Sequence, residues 1–101
     1  FATLFANLKF ISNLVLGGIN EISDNVLRMI SKHYSHQLKW LSIAGCKNVS
    51  EQGLVTFITQ CKRLSYFNVS TCYEIITDNV MDAIARNLSG LKNFSMQGCD
   101  K

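Results

Sequence analysis

The sequence predicts an α/β solenoid in which short strands alternate with helices, and three observations carry that prediction. Cysteines recur at Cys46, Cys72 and Cys99, spaced 26 and 27 residues apart. Ahead of each stands a pair of apolar residues two apart, Leu41 and Ile43, Phe67 and Val69, or Phe94 and Met96. That alternation belongs to a strand with one buried face. Between strands a hydroxyl residue, Ser23, Ser50 or Thr77, is followed by an acid, Asp24, Glu51 or Asp78. The hydroxyl can cap open backbone amides and the acid suits the positive end of the helix dipole, so each pair marks a helix start.

Taken in order, residues 1–10 finish the helix of a preceding unit, since Phe1, Leu4 and Leu8 have the spacing of one helix face and lead into Ile11. Residues 11–37 form a whole unit. Its strand columns are Ile11, Leu14 and Leu16, Ile19 takes the cysteine place, and Leu27, Ile30 and Tyr34 follow along a helix. The next unit, 38–63, is the most regular: Leu38, Leu41, Ile43, Cys46, then Val49-Ser50-Glu51, then Leu54, Phe57 and Cys61. In 64–90 the columns are Leu64, Phe67, Val69 and Cys72, with one extra residue near Glu74-Ile75-Ile76, and then Met81, Ile84 and Leu88. Residues 91–101 open another strand with Leu91, Phe94, Met96 and Cys99. No Glu or Gln sits three residues past any cap, so the full reciprocal capping box is not expected. With no proline and no low-complexity linker, residues 1–101 read as one continuous segment. The chain opens on Phe1, as expected of a piece of something longer.

A position that accepts isoleucine in one unit is not a catalytic or metal position. The recurring cysteine is therefore expected to be a small buried residue at the turn after each strand, using its weak hydrogen-bonding capacity. Other chemistry is set aside on similar grounds. The four cysteines form no C-x-x-C pair, and His33 and His36 have no acid or thiol in their turn to complete a metal site. No nucleophile elbow, paired acids or phosphate-binding glycine loop is present, so an enzyme is not expected, nor a cofactor. The formal charge is +3, with the ten basic residues spread along the chain and only Lys62 and Arg63 adjacent, which disfavours nucleic acid. No apolar run approaches the length of a membrane span. Asn48, Asn68, Asn87 and Asn93 would accept glycans in a secreted chain. The cysteines have no evident pairing partners, which favours a reducing compartment.

The pattern Leu-x-x-Leu-x-Leu-x-x-Cys, then Ile or Val with Ser or Thr and an acid, then a helix closing near a second cysteine, resembles the cysteine-containing class of leucine-rich repeats. The likeness is best in 38–63, in "LKWLSIAGC", "VSEQGL" and "TQC". Ile19, Tyr34 and Leu88 depart from it, each with an apolar residue. The resemblance implies a right-handed horseshoe segment with parallel strands on the concave face and helices on the convex face. It further implies a protein-interaction module, chiefly the substrate-recognition region of a Skp1–cullin–F-box ubiquitin ligase, with Skp1 and cullin reached through an F-box outside these residues. The alternative it allows is a structural scaffold in a large assembly such as the dynein regulatory complex of a ciliary axoneme. A cytoplasmic location follows, the nucleus and cilium being further compartments. A third reading, an extracellular glycosylated receptor, would need disulfide-bonded caps.

Alternation places the candidate binding residues. If Leu41 and Ile43 face the core, three ladders cross the concave face: Asn13, Trp40, Tyr66 and Asn93; Val15, Ser42, Asn68 and Ser95; Gly17, Ala44, Ser70 and Gln97. Neighbouring strands lie about 4.8 Å apart, so Trp40 and Tyr66 are expected side by side. Such a pair suits either a protein-binding hot spot or a cross-strand stack covered by another part of the same chain. The ladders hold no charged residue. A protein partner bound there would be held by apolar contact and by amide or hydroxyl hydrogen bonds.

Overall fold

A computed structural model describes residues 11–17, 21–70 and 75–96. Seven elements alternate along it: β1 (Asn13–Val15), α1 (Asp24–Tyr34), β2 (Trp40–Ser42), α2 (Glu51–Gln60), β3 (Tyr66–Asn68), α3 (Asp78–Asn87) and β4 (Asn93–Ser95). The strands form one parallel sheet in chain order. Leu14 pairs with Leu41, Leu41 with Phe67 and Phe67 with Phe94, so the central strand column predicted from the repeat falls into register. Each helix packs on the next in sequence and each strand on the next. Coupling through nearest neighbours alone is the organisation of a solenoid. The fold is an α/β leucine-rich-repeat segment.

The core lies between sheet and helices and is most complete in the middle unit. Leu38, Leu41, Ile43, Leu54, Ile58 and Cys61 are wholly buried, with Cys46, Val49 and Phe57 nearly so. The aromatic rings of Phe57, Phe67 and Phe94 run through it, with centroids 6.4 and 6.0 Å apart. After β2 the chain turns sharply as Cys46 N–H donates to the Ile43 carbonyl at 3.0 Å. Gly45 holds the left-handed position of that turn at φ 77°, where a side chain would be strained.

Two columns depart from expectation. Met81 is 38% exposed and Val80 is buried in its place. In α1 the equivalent of Met81 is Leu27, which lines the groove facing Gly53 and Phe57 of α2. This helix side therefore looks toward the following unit, and no further helix is described beyond α3. Met96, expected on the core side, is 40% exposed for the corresponding reason at β4. Of the stretch Glu74-Ile75-Ile76 where the extra residue is expected, Ile75 and Ile76 are described and half-buried, whereas Glu74, Ile19, Cys72, Cys99, Gln97 and the helix expected in 1–10 lie outside the described residues. A further difference is that α1 has 11 residues where α2 and α3 have 10.

Candidate functional site

Two of the three expected ladders assemble across the sheet. Asn13, Trp40, Tyr66 and Asn93 are successive partners across the sheet, and so are Val15, Ser42, Asn68 and Ser95. The Trp40 and Tyr66 rings stack with centroids 4.2 Å apart and planes inclined by 22°. That separation is close to the strand spacing, so the rings stand up from the sheet face to face. Trp40 is 44% exposed, Tyr66 half-buried, and Asn13 and Asn93 flank them exposed.

Hydrogen bonds hold the arrangement. The Asn68 amide donates to the Tyr66 hydroxyl at 3.2 Å, and its carbonyl oxygen accepts from the Ser70 backbone N–H at 2.9 Å. Ser70 and Ser95 hydroxyls lie 2.7 Å apart. A chain of contacts therefore runs from Trp40 through Tyr66, Asn68 and Ser70 to Ser95. Fixing the rings in advance lowers the ordering cost of binding.

Ser42 departs from its expected place on the surface. It occupies the ladder, but is only 7% exposed. Its short side chain sits between Val15 and Asn68, both larger, and offers a partner almost nothing. Val15 lies on the outermost described strand, beside that of Trp40 and with a described neighbour on one side only, and is 72% exposed. Sequence reasoning put Val15 in the right ladder without counting it as a contact. Its apolar character between polar ladder neighbours was the available signal.

The two described cysteines take structural places. Cys46 is buried and its thiol donates to the Leu16 carbonyl at 3.3 Å, tying the turn after β2 to the strand end of the preceding unit. Cys61 is buried at the end of α2, where loss of solvent pushes its thiol up to about 12. A thiol so held stays protonated at neutral pH, the form that is not nucleophilic. His33 and His36 are exposed near the end of α1. Among the described residues no His, Cys, Asp and Glu side chains gather into a metal site, and no helix is long and apolar enough to cross a membrane.

At the helix starts the acids do more than face the dipole. Asp24 accepts from the Ser50 backbone N–H at 2.8 Å and from its hydroxyl at 2.5 Å, while Ser50 Oγ accepts from Gly53 N–H at 3.0 Å. Glu51 likewise accepts from the Thr77 hydroxyl, and Thr77 Oγ1 accepts from Val80 N–H at 3.3 Å. Each acid orients the cap of the next unit. Ser23 is the exception, since its side chain makes no cap bond.

No protein-family model matches the chain. Antagonist of mitotic exit network protein 1 from Saccharomyces cerevisiae is 30% identical over 98 residues, covering 95% of this chain and 18% of its own length. The Candida glabrata protein of the same name is 31% identical over 98 residues, covering 95% of the chain and 19% of its own length. From Arabidopsis thaliana, BTB/POZ domain-containing protein FBL11 is 32% identical over 82 residues, which is 81% of the chain and 8% of that protein. The chain thus spans less than a fifth of each curated relative and is distantly homologous to all three.

Proposed function

We propose that the concave face, centred on Trp40 and Tyr66, recognises a protein partner, within a parent chain that serves as the substrate-recognition part of an F-box-type ubiquitin ligase in the cytoplasm. The observation that carries this reading is the exposed, pre-stacked ring pair bordered by Val15, Asn13 and Asn93 on a ladder without charge. Aromatic residues fixed in advance are the usual anchors of protein interfaces. The fold supports the reading too, because a solenoid displays neighbouring strands as one continuous binding surface. So does the yeast relative, whose name describes antagonism of a mitotic exit network.

Affinity purification of the full-length parent from its own cells, wild type beside Trp40→Ala/Tyr66→Ala, tests it. Skp1 and cullin should come with both forms, and a set of further proteins only with wild type. Recovery of a fixed assembly without Skp1 would discard the ligase and leave a scaffold subunit. An identical partner set from both forms would remove the ring pair from recognition.

A further inference from the structure

Because all four strands are parallel, every helix ends and every strand begins on the same edge of the sheet. The cations spread along the sequence converge there. Lys32 lies in the last turn of α1, Lys39 directly precedes β2, Lys62 and Arg63 lie between α2 and β3, and Lys92 directly precedes β4; all five are exposed. Among the described residues this edge holds no acid and none of the five forms an ion pair. Glu21, Asp24, Glu51 and Asp78 lie on the opposite edge, at or near helix starts, and Asp82 is taken by Arg86 at 2.9 Å. A helix of ten residues is about 15 Å long. That exceeds the distance over which physiological salt screens surface charge, about 8 Å, so the edges do not neutralise one another.

The basic edge is continuous with the ring pair. Backbone N–H groups of Lys39, Ser65 and Lys92 donate to the carbonyls of Ser12, Lys39 and Ser65, each at 2.8 Å, forming a lateral ladder at the strand starts. Lys39 and Lys92 are two strands apart on it, about 10 Å. Carboxylates two or three residues apart on an extended segment would span that distance. Lys39 adjoins Trp40 and Lys92 adjoins Asn93, so a segment crossing the ring pair toward the strand starts meets these cations.

The geometry points to an acidic polypeptide segment as the partner of this edge, seated with an apolar side chain against Trp40 and Tyr66. The inference rests on the protein-recognition reading above and adds its charge. The rings argue against single-stranded nucleic acid, because each uses one face on the other and Asn13 and Asn93 flank the pair, leaving poor platforms for bases.

Fluorescence anisotropy on the full-length protein tests it with three labelled probes: a short peptide of glutamates around one leucine, its glutamine counterpart, and an oligothymidylate of equal length. The glutamate peptide should bind best, weakening as salt rises and by about tenfold with Lys39→Glu/Lys92→Glu. Lys47→Glu, at the other edge, should change its affinity little. Equal binding of glutamate and glutamine peptides would overturn the inference, and so would tighter binding of the oligothymidylate. Trp40→Ala/Tyr66→Ala separates the two readings. If it leaves the glutamate peptide unaffected while the double reversal weakens it, the charged edge stands, and both the seat against the rings and the ring-centred face fall; the reverse pattern removes the edge and keeps the rings.

Discussion

Cys46 and Cys61 are both buried in the same unit, yet their surroundings assign them different work. Cys46 has a carbonyl to donate to and so joins two units, whereas Cys61 is surrounded by apolar residues that withhold solvent from its sulfur. The second case has a measurable consequence. Folding raises the Cys61 thiol from an ordinary value of 9.0 to about 12, so between these values the native chain keeps a proton that the unfolded chain has lost. Its contribution is intact below pH 9 and falls as pH rises toward 12, by up to about 1.4 kcal/mol per pH unit. Denaturant titrations at pH 8 and pH 10 should show a steeper loss in wild type than in Cys61→Ala. Equal losses would mean that solvent reaches the sulfur. Recurrence alone was enough to read Cys46 as structural, because Ile19 shares its column. The Leu16 carbonyl that receives its thiol could not be read, since it comes from the preceding unit.

Among the elements, α2 shows how a helix start depends on its neighbour. A Cβ on Gly53 would come within 2.1 Å of Asp24 Oδ1, so the acid that orients Ser50 needs a glycine beside it. At the next junction Glu51 accepts from the Thr77 hydroxyl, and there the position matching Gly53 is Val80, so a longer acid accompanies a larger residue. Gly53→Ala should therefore destabilise the protein by about 1–2 kcal/mol through loss of the Asp24 bonds to Ser50. Helix propensity alone would give a gain of up to about 1 kcal/mol. Adding Asp24→Glu should restore most of the loss, a coupling that a double-mutant cycle in urea would reveal. A stabilising Gly53→Ala would refute this account. Helix starts were legible from Ser-Asp, Ser-Glu and Thr-Asp, and their acids looked sufficient as dipole partners. The reach of each acid into the next unit depends on helix-to-helix placement, which local spacing does not encode.

Over the whole molecule the sheet divides one layer of aromatic residues from another. Phe67 is wholly buried between Phe57 and Phe94, while Trp40 stands on the other side of the same sheet with nearly half its surface open. Phe67→Ala should cost about 3–5 kcal/mol. Trp40→Ala should cost less, about 1–3 kcal/mol, because 44% of Trp40 is already open and only its covered part and its stack on Tyr66 are lost. Comparable shifts of the urea midpoint would make Trp40 part of the core and leave the concave face without its anchor. The division itself was readable from residues two apart, because the parallel register preserves alternation from strand to strand. The gathering of Lys39, Lys62, Arg63 and Lys92 was not. Those cations are distant in sequence, and only the stacking of units places them on one edge. Met81 and Met96 failed as core positions because a column describes a repeat with neighbours on both sides.

The acid-to-cap contacts also give the molecule a direction. Asp24 completes the start of α2 and Glu51 that of α3, while nothing described runs the other way. Among the described residues, the starts of α2 and α3 are thus each finished by the preceding unit. Damage to one helix start would propagate downstream sooner than upstream, like a row of arches each resting on the pier before it.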